Sequence, residues 1–257
     1  MLIKSYIVTS QGPRQYMEDT YVIKKIQRGI KSIEFLGIFD GHGGIEVAAL
    51  CRDNMPLIFD HVLNTCNGDM MLALKRSFRL MDEFVKLKEK RDTVGSTAVL
   101  TVLTDHKCWF ANAGDSMTML MYKNGKSHMV SQEHKAESEK DRILKSGGIL
   151  TYWDGMGRVN GTLNLSRSIG DHYIKKHVIS TPFITHIDIN KLSEVQCIVM
   201  ASDGIWDVYD HTTLSNDIRK MLNNDTNVDV ITRNIVTNAY KRGSTDNITL
   251  VISVVKV

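Results

Sequence analysis

Apolar positions recur along the chain in two rhythms, and the rhythms predict the elements. Residues 1–9 and 20–26 alternate or run apolar and β-branched, as strands do. Phe35 to Phe39 is apolar except at Gly37 and leads into Asp40, which predicts a short buried strand ending on a carboxylate. Residues 45–63 carry Ile45, Ala48, Ala49 and Leu57 at helical spacing, with an interruption expected at Pro56. Residues 70–88 form the clearest amphipathic helix, with Met71, Leu74, Phe78, Met81 and Val85 on one stripe and Lys75, Arg79, Asp82 and Lys86 elsewhere. After Arg91-Asp92-Thr93 the period shortens. Gly95-Ser96-Thr97 leads into a strand over Ala98–Leu103, and a second covers Lys107–Ala113. Thr118–Tyr122 and Ser127–Val130 flank Asn124-Gly125, a strong hairpin signal. Residues 135–146 predict a short polar helix ending at Gly147-Gly148. Residues 151–182 are glycine-rich and irregular, a connection long enough to be functional. Strands follow at Thr185–Ile189 and Cys197–Ala201, helices at 212–222 and 227–241, and a last strand at Ile248–Val255. The second of those helices carries Val228, Ile231, Ile235 and Ala239 on one face. Strands come in runs rather than alternating with helices, which predicts an α+β fold of antiparallel sheets with helices layered outside.

Composition narrows the class. A chain of 257 residues that is 42% hydrophobic can build one large core or two small ones. Its net charge of +3 implies no general affinity for nucleic acid or membrane. The four cysteines, Cys51, Cys66, Cys108 and Cys197, form no CxxC pair, so a zinc site is not expected. Three of them sit in apolar runs, where buried free thiols and a reducing, intracellular compartment are expected, cytoplasmic with the nucleus left open. No apolar run approaches the ~18 residues that span a bilayer, and residues 1–10 lack a signal-peptide core. Leu2 stands where myristoylation requires glycine. The N-x-[ST] matches at Asn160, Asn164 and Asn247 are read as chance in such a chain.

Candidate chemistry gathers at strand ends. Phe39-Asp40-Gly41-His42-Gly43-Gly44 puts an acid, a backbone carbonyl and a histidine in one glycine-rich turn. Carboxylate and carbonyl oxygen suit a hard divalent cation, and a histidine can move a proton near neutral pH. The competing reading is a turn with a helix-capping aspartate and a structural histidine. Asp115 in Gly114-Asp115-Ser116 and Asp203 in Ser202-Asp203-Gly204 also close apolar strands, and Asp246 opens one. Each alone reads equally as a turn former. Together they pose an electrostatic problem. Two carboxylates ~4 Å apart repel by roughly 4 kcal/mol at an effective dielectric of 20, so a cluster requires protons or cations. Two divalent ions bridged by one aspartate would satisfy it, lower the pKa of a shared water and clamp an in-line phosphoryl displacement. Arg14, four and five residues before Glu18 and Asp19, is either a surface ion pair or a fork for a phosphate.

Six motifs, taken in order, resemble the metal-dependent protein phosphatases of the PPM type, also called type 2C. They are Arg14-Gln15-Tyr16-Met17-Glu18-Asp19, Phe39 to Gly44, Gly95-Ser96-Thr97-Ala98, Gly114-Asp115-Ser116, Ser202-Asp203-Gly204-Ile205-Trp206-Asp207 and Asp246-Asn247. The resemblance covers essentially the whole chain and implies one catalytic domain over residues 1–257. It also implies a four-layer αββα sandwich, two packed antiparallel sheets flanked by helices, with a flap at about 151–182. By the same resemblance Asp40 would bridge two Mn²⁺ or Mg²⁺ ions, and Asp203 and Asp246 would hold one of them. The Gly41 carbonyl would hold the other, with Glu18 and Asp19 acting directly or through water. Asp115 and Asp203 would serve a weaker third ion. Arg14 would bind the substrate phosphate, His42 would protonate the leaving serine or threonine oxygen, and Thr97 and Asn247 would support this shell by hydrogen bonds. The chain departs from the family at Met117, often an arginine, and at Glu133-His134-Lys135-Ala136, often Asp-His-Lys-Pro. Arg167-Ser168-Ile169-Gly170-Asp171 keeps the family's Arg and Gly-Asp.

The leading expectation is a protein serine/threonine phosphatase, in which a hydroxide bridging the two ions attacks the phosphorus. It would act as a monomer on phosphorylated proteins, with no nucleic-acid or membrane partner. The alternatives are a pseudophosphatase that binds phosphoproteins or a kinase, against which the retained Asp40, Asp203 and Asp246 count, and a two-metal nuclease, against which the lack of a basic stripe counts.

Overall fold

The computed structural model describes residues 2–256, and most elements stand where the hydrophobic rhythm puts them. In chain order they are β1 (Leu2–Ser10), β2 (Asp19–Arg28), β3 (Lys31–His42), α1 (Glu46–Thr65), α2 (Met70–Lys88), β4 (Gly95–Ser96), β5 (Ala98–Leu103), β6 (Lys107–Ala113), β7 (Met117–Tyr122), β8 (Ser127–Met129) and α3 (Lys140–Lys145). Then come β9 (Leu150–Trp153), β10 (Met156–Val159), β11 (Ile169–Gly170), β12 (Phe183–Asp188), α4 (Ile189–Leu192), β13 (Val195–Ala201), α5 (Asp203–Trp206), α6 (His211–Asn223), α7 (Val228–Lys241) and β14 (Ile248–Lys256).

One antiparallel sheet has the order β1-β14-β13-β7-β8. The other runs β11-β4-β3-β5-β6-β12, with β2 also paired to β3, and is antiparallel throughout. The period of two explains how they stack. In β3, Phe35 and Phe39 face α1 and α2, while Leu36 and Ile38 face the opposite sheet. In β13, Cys197, Val199 and Ala201 face α6 and α7, while Ile198 and Met200 meet Leu36 and Ile38 between the sheets. Strands covered on both faces must be continuously apolar, which is the run seen at Phe35–Phe39. The result is four layers, helix–sheet–sheet–helix, as expected.

Some expectations need correction. α1 runs unbroken through Pro56. A proline there removes only the bond to the Arg52 carbonyl, and Cys51, Met55, Phe59 and Val62, each at most 1% exposed, hold the helix on both sides. Its buried face is set by those residues, so Ile45 and Leu57 point outward, at 41% and 56% exposure. Met71 likewise leaves the α2 stripe. β3 does not stop at Asp40 but continues to His42, because Gly41 and His42 pair with Ser96 and Gly95. The helix expected over 135–146 shrinks to Lys140–Lys145, because the backbone of Lys135 and Ala136 bonds instead to Leu165 and Asn164. Residues 151–182 are more regular than expected. They hold most of the β9–β10 hairpin, and β11, which extends the larger sheet.

Candidate active site

Four chain segments deliver acids to one end of the sandwich. Asp40 is in β3, Asp115 in the β6–β7 turn, Asp203 at the first position of α5 directly after β13, and Asp246 just before β14. One carboxylate oxygen from each of Asp40, Asp115 and Asp203 lies within 4.8 Å of the others. Asp19 joins from β2, where it sits opposite Asp40 in the strand register. All five, except the deeply set Asp19, line a cleft of about 520 Å³ together with Arg14, Glu18, Gly41, His42, Thr97 and Asn247. A somewhat larger groove, about 620 Å³, lies between β2 and α1, but it reaches the acids only at Asp19.

Backbone geometry packs these groups tightly. A Cβ on Gly41 would sit 2.7 Å from the Glu18 carbonyl oxygen, and one on Gly204 would sit 2.1 Å from that of Asn247. Thr97 braces Asp40 twice: its N–H donates to the Asp40 carbonyl at 2.8 Å, and its Oγ1 accepts from the Asp40 N–H at 3.2 Å. Asn247 ties the opening of β14 to the Arg14 loop. Its Oδ1 accepts from the Glu18 N–H at 2.7 Å, and its Nδ2 donates to the Gln11 and Tyr16 carbonyls at 2.8 and 2.9 Å. Arg14 lies at the rim, where its guanidinium pairs with Asp246 and its Nε donates to the Thr245 carbonyl at 3.0 Å. It does not pair with Glu18 or Asp19, the partners nearest in sequence.

Charge is crowded here. Burial and then Asp203, Asp19, Asp115 and Asp246 push the Asp40 carboxyl well above the usual carboxylate range. Asp203 is raised by burial first, then by Asp115, Asp207, Asp246 and Asp19. Both keep a strip of surface open to the cleft, but dense protein desolvates their other sides. Burial lifts Asp19 to about 6 against the hydroxyls of Thr249 and Ser202, and lifts Asp115 to about 6 against the Lys135 ammonium. Asp19 Oδ1 and Asp203 Oδ1 are buried with no hydrogen-bond partner among the described residues. Orphaned carboxylate oxygens inside a ring of like charge are a donor set for hard cations, so the residues present fit a divalent metal ion.

A family model described as protein phosphatase 2C matches residues 4–248. The chain belongs to the protein phosphatase 2C family. It is 36% identical to protein phosphatase 2C 3 of Arabidopsis thaliana over 82% of this chain and 52% of that protein. It is 32% identical to probable protein phosphatase 2C 45 of Oryza sativa subsp. japonica over 95% of this chain and 84% of that protein. Several of the curated 2C relatives are longer, and the chain spans 52% to 59% of the first three. Among solved structures, a C. elegans sex-determining protein superposes with a TM-score of 0.88 at 27% identity, over 99% of this chain and 65% of that one. Serine-threonine phosphatase 2C from Toxoplasma gondii shares the fold, with a TM-score of 0.82 at 20% identity over 99% and 95% of the two chains.

Within this 2C fold the structure adds residues that sequence reasoning left without a role. Ser202 Oγ donates to Asp19 Oδ2 at 2.8 Å. Lys135 lies within 3.7 Å of Asp115, 3.6 Å of Glu133 and 3.2 Å of Asp207. Asp171, fully buried, lies 2.9 Å from His42 Nε2 through both carboxylate oxygens. All fall in motifs quoted for the family resemblance or its departures; the signal was present, but its contacts were not. Packing accounts for one departure, Ala136, and for the retained His134 and Arg167 near it. His134 is fully buried against the Gly114 carbonyl, and burial holds its imidazole down at about 4. Ala136 is buried where a proline would lack the N–H that bonds Asn164. Arg167 clamps Glu139 through two nitrogens at 2.5 and 3.0 Å.

Proposed function

We propose that the chain is a metal-dependent protein serine/threonine phosphatase acting on phosphorylated proteins. The observation that carries this reading is the convergence of Asp40, Asp115 and Asp203 within 4.8 Å, in a cleft that also offers an arginine and a histidine. Asp40 would lie between two Mn²⁺ or Mg²⁺ ions, with Asp203 and Asp246 on one and the Gly41 carbonyl, Glu18 and Asp19 on the other. Asp115 and Asp203 would serve a weaker third ion. When bound, such a pair supplies an activated water and neutralises charge on the phosphoryl oxygens.

The chain's own residues do the rest. Arg14, exposed at the rim, meets the substrate phosphate with a planar fork that binds two oxygens at once. Phosphate binding there exchanges the Asp246 carboxylate for a phosphate oxygen, and the freed Asp246 would be available to hold a cation. His42 delivers a proton to the serine or threonine oxygen as the phosphorus–oxygen bond breaks. Thr97 and Asn247 hold Asp40 and the Glu18 loop in register. Met156, Arg158 and Leu163, within the 151–182 flap, line the same cleft and are read as substrate contacts. The four buried free cysteines support an intracellular, reducing compartment. No helix among the described residues is long and apolar enough to cross a membrane.

Release of phosphate from a phosphothreonine peptide tests the reading. It should need Mn²⁺ or Mg²⁺, stop with excess chelator, and vanish in Asp40→Asn and Asp203→Asn with the fold intact. A folded, metal-loaded protein that releases nothing overturns it, and full activity in either variant overturns the site.

A further inference from the structure

Asp171 is buried at a cost that packing alone does not explain. Its side chain is wholly inaccessible, and its backbone is left-handed, at φ 52°. Gly170 before it is also left-handed, at φ 86°. These two residues fold the chain back so that Asp171 tucks beneath the end of β3. Non-glycine residues adopt that conformation rarely, and a buried carboxylate costs several kcal/mol unless it is well partnered. The carboxylate has two partners in the chain. Ser168 Oγ donates to Oδ2 at 2.5 Å, and His42 Nε2 lies 2.9 Å from both oxygens.

The surroundings are built to hold this contact. His42 pairs with Gly95 across β3 and β4, and Gly95 pairs with Gly170 across β4 and β11. A Cβ on Gly95 would lie 2.2 Å from Asp171 Oδ2 and 2.4 Å from His42 Nε2, so no other residue leaves room for the pair. The Asp171 N–H donates to the Val94 carbonyl at 3.1 Å. Lys175 Nζ donates to the Ser168 and Gly170 carbonyls at 2.9 and 2.8 Å, while Asp82 accepts from the Gly170 N–H at 2.9 Å and pairs with Lys175.

We infer that Asp171 is a positioning residue that fixes the His42 ring with Nε2–H bonded to Asp171, so that Nδ1 is the nitrogen presented to the cleft. Among the described residues His42 makes its side-chain hydrogen bonds through Nε2 alone, and its side chain, 26% exposed, is one of those lining the cleft. Resting on the phosphatase reading, this assigns the proton. As the phosphorus–oxygen bond to the serine or threonine breaks, its electron pair stays on that oxygen, which takes the proton from Nδ1. The ring is left neutral, with Nε2–H still on Asp171, and solvent returns a proton to Nδ1.

Asp171→Asn is the informative variant. An aspartate offers two oxygens to two donors, Ser168 and Nε2–H. An asparagine offers one; where Ser168 keeps donating to that oxygen, the amide faces the ring nitrogen as a donor and drives the neutral ring to the Nδ1–H form, whereas an amide turned onto Ser168 Oγ leaves Nε2–H in place. ¹⁵N spectra of labelled histidine, with His42 assigned by His42→Ala, should show Nε2–H in the wild type and Nδ1–H in Asp171→Asn. An Nδ1–H wild type, or a form unmoved in both Asp171→Asn and Asp171→Leu, which leaves Nε2 no acceptor, overturns the inference whether or not the protein hydrolyses anything. If the form switches but the wild type releases no phosphate, Asp171 keeps its role and the phosphatase reading falls. Kinetics checks the consequence. Asp171→Asn should lose about 10²-fold in kcat on a phosphothreonine peptide at unchanged KM and Mn²⁺ binding, and under about 10-fold on p-nitrophenyl phosphate, whose oxygen leaves without help. Placed on His42→Ala, it should add nothing. Equal losses on both substrates, or losses that multiply with His42→Ala, would mark a merely structural contact. Asp171→Ser gives a second variant if the asparagine fails to fold.

Discussion

Arg14 shows how one side chain can satisfy two readings of the same sequence. It is a surface ion pair, since its side chain is 55% exposed and bound to Asp246. Because that partner belongs to the acid cluster, the guanidinium also stands where an anion would enter. Exposed pairs contribute at most about 1 kcal/mol to stability, so the arginine is worth more to binding than to folding. Arg14→Ala should lower kcat/KM by about 10²-fold and weaken inhibition by inorganic phosphate, with little change in melting temperature. Arg14→Lys should recover only part of this, because an ammonium cannot take two oxygens in one plane. A lysine variant with full phosphate inhibition would remove the fork from the argument. The four acids Asp40, Asp115, Asp203 and Asp246 were legible because each stands where an apolar strand meets a turn and is followed by glycine, serine or asparagine. Asp171 and Ser202 were not, because their decisive contacts span 129 and 183 positions and involve ordinary polar residues.

At the scale of elements, local chemistry was a sound guide wherever the backbone had no competing partner. The Asn124-Gly125 hairpin forms with Leu120 opposite His128, and Gly125 takes the positive φ of 93° that the turn requires. Residues 135–139 had helical composition, but Lys135 and Ala136 bond to Leu165 and Asn164 instead, a choice no local pattern encodes. α5 was missed for a different reason. At four residues it is too short for any periodicity, yet it aims Asp203 at the cluster. Its closeness to β14 depends on Gly204, whose carbonyl also accepts from Ser244 Oγ at 2.7 Å. Gly204→Ala must push the Asn247 carbonyl away and carry Asp246 with it. The expected result is a loss of about 1–3 kcal/mol of stability from overpacking and a weakening of Mn²⁺ binding by 10-fold or more, on the order of 1.4 kcal/mol. Melting and calorimetric titration would read the two effects. Unchanged Mn²⁺ affinity would mean that the α5–β14 contact does not set the site.

At the scale of the whole molecule, the sheet order was beyond any local signal. β1 lies beside β14 and β7 beside β13, and alternating apolar patterns fit many such pairings equally well. That topology brings the acids together, and it makes stability depend on protons and cations. Without metal, Asp19, Asp40, Asp115 and Asp203 all hold protons more tightly than their unfolded counterparts near 3.8. The folded state therefore binds more protons, and these groups stabilise it fully only below that value. Their contribution falls as pH rises through about 6, where Asp19 and Asp115 titrate, and keeps falling for Asp40 and Asp203. His134 acts in the opposite sense. Its buried neutral ring is stable above 6.5 and loses that stability as pH falls toward about 4. A chelated melting curve mixes both, so the useful quantity is the increment in melting temperature that Mn²⁺ adds at each pH. His134 largely cancels in that difference, because it titrates with or without the ion. A cation binds only ionised carboxylates and relieves their repulsion, so the increment should be larger at about pH 7.5 than at about pH 5. An increment that is flat across this range, or that grows on acidification, would mean that the ion binds somewhere other than this ring of acids.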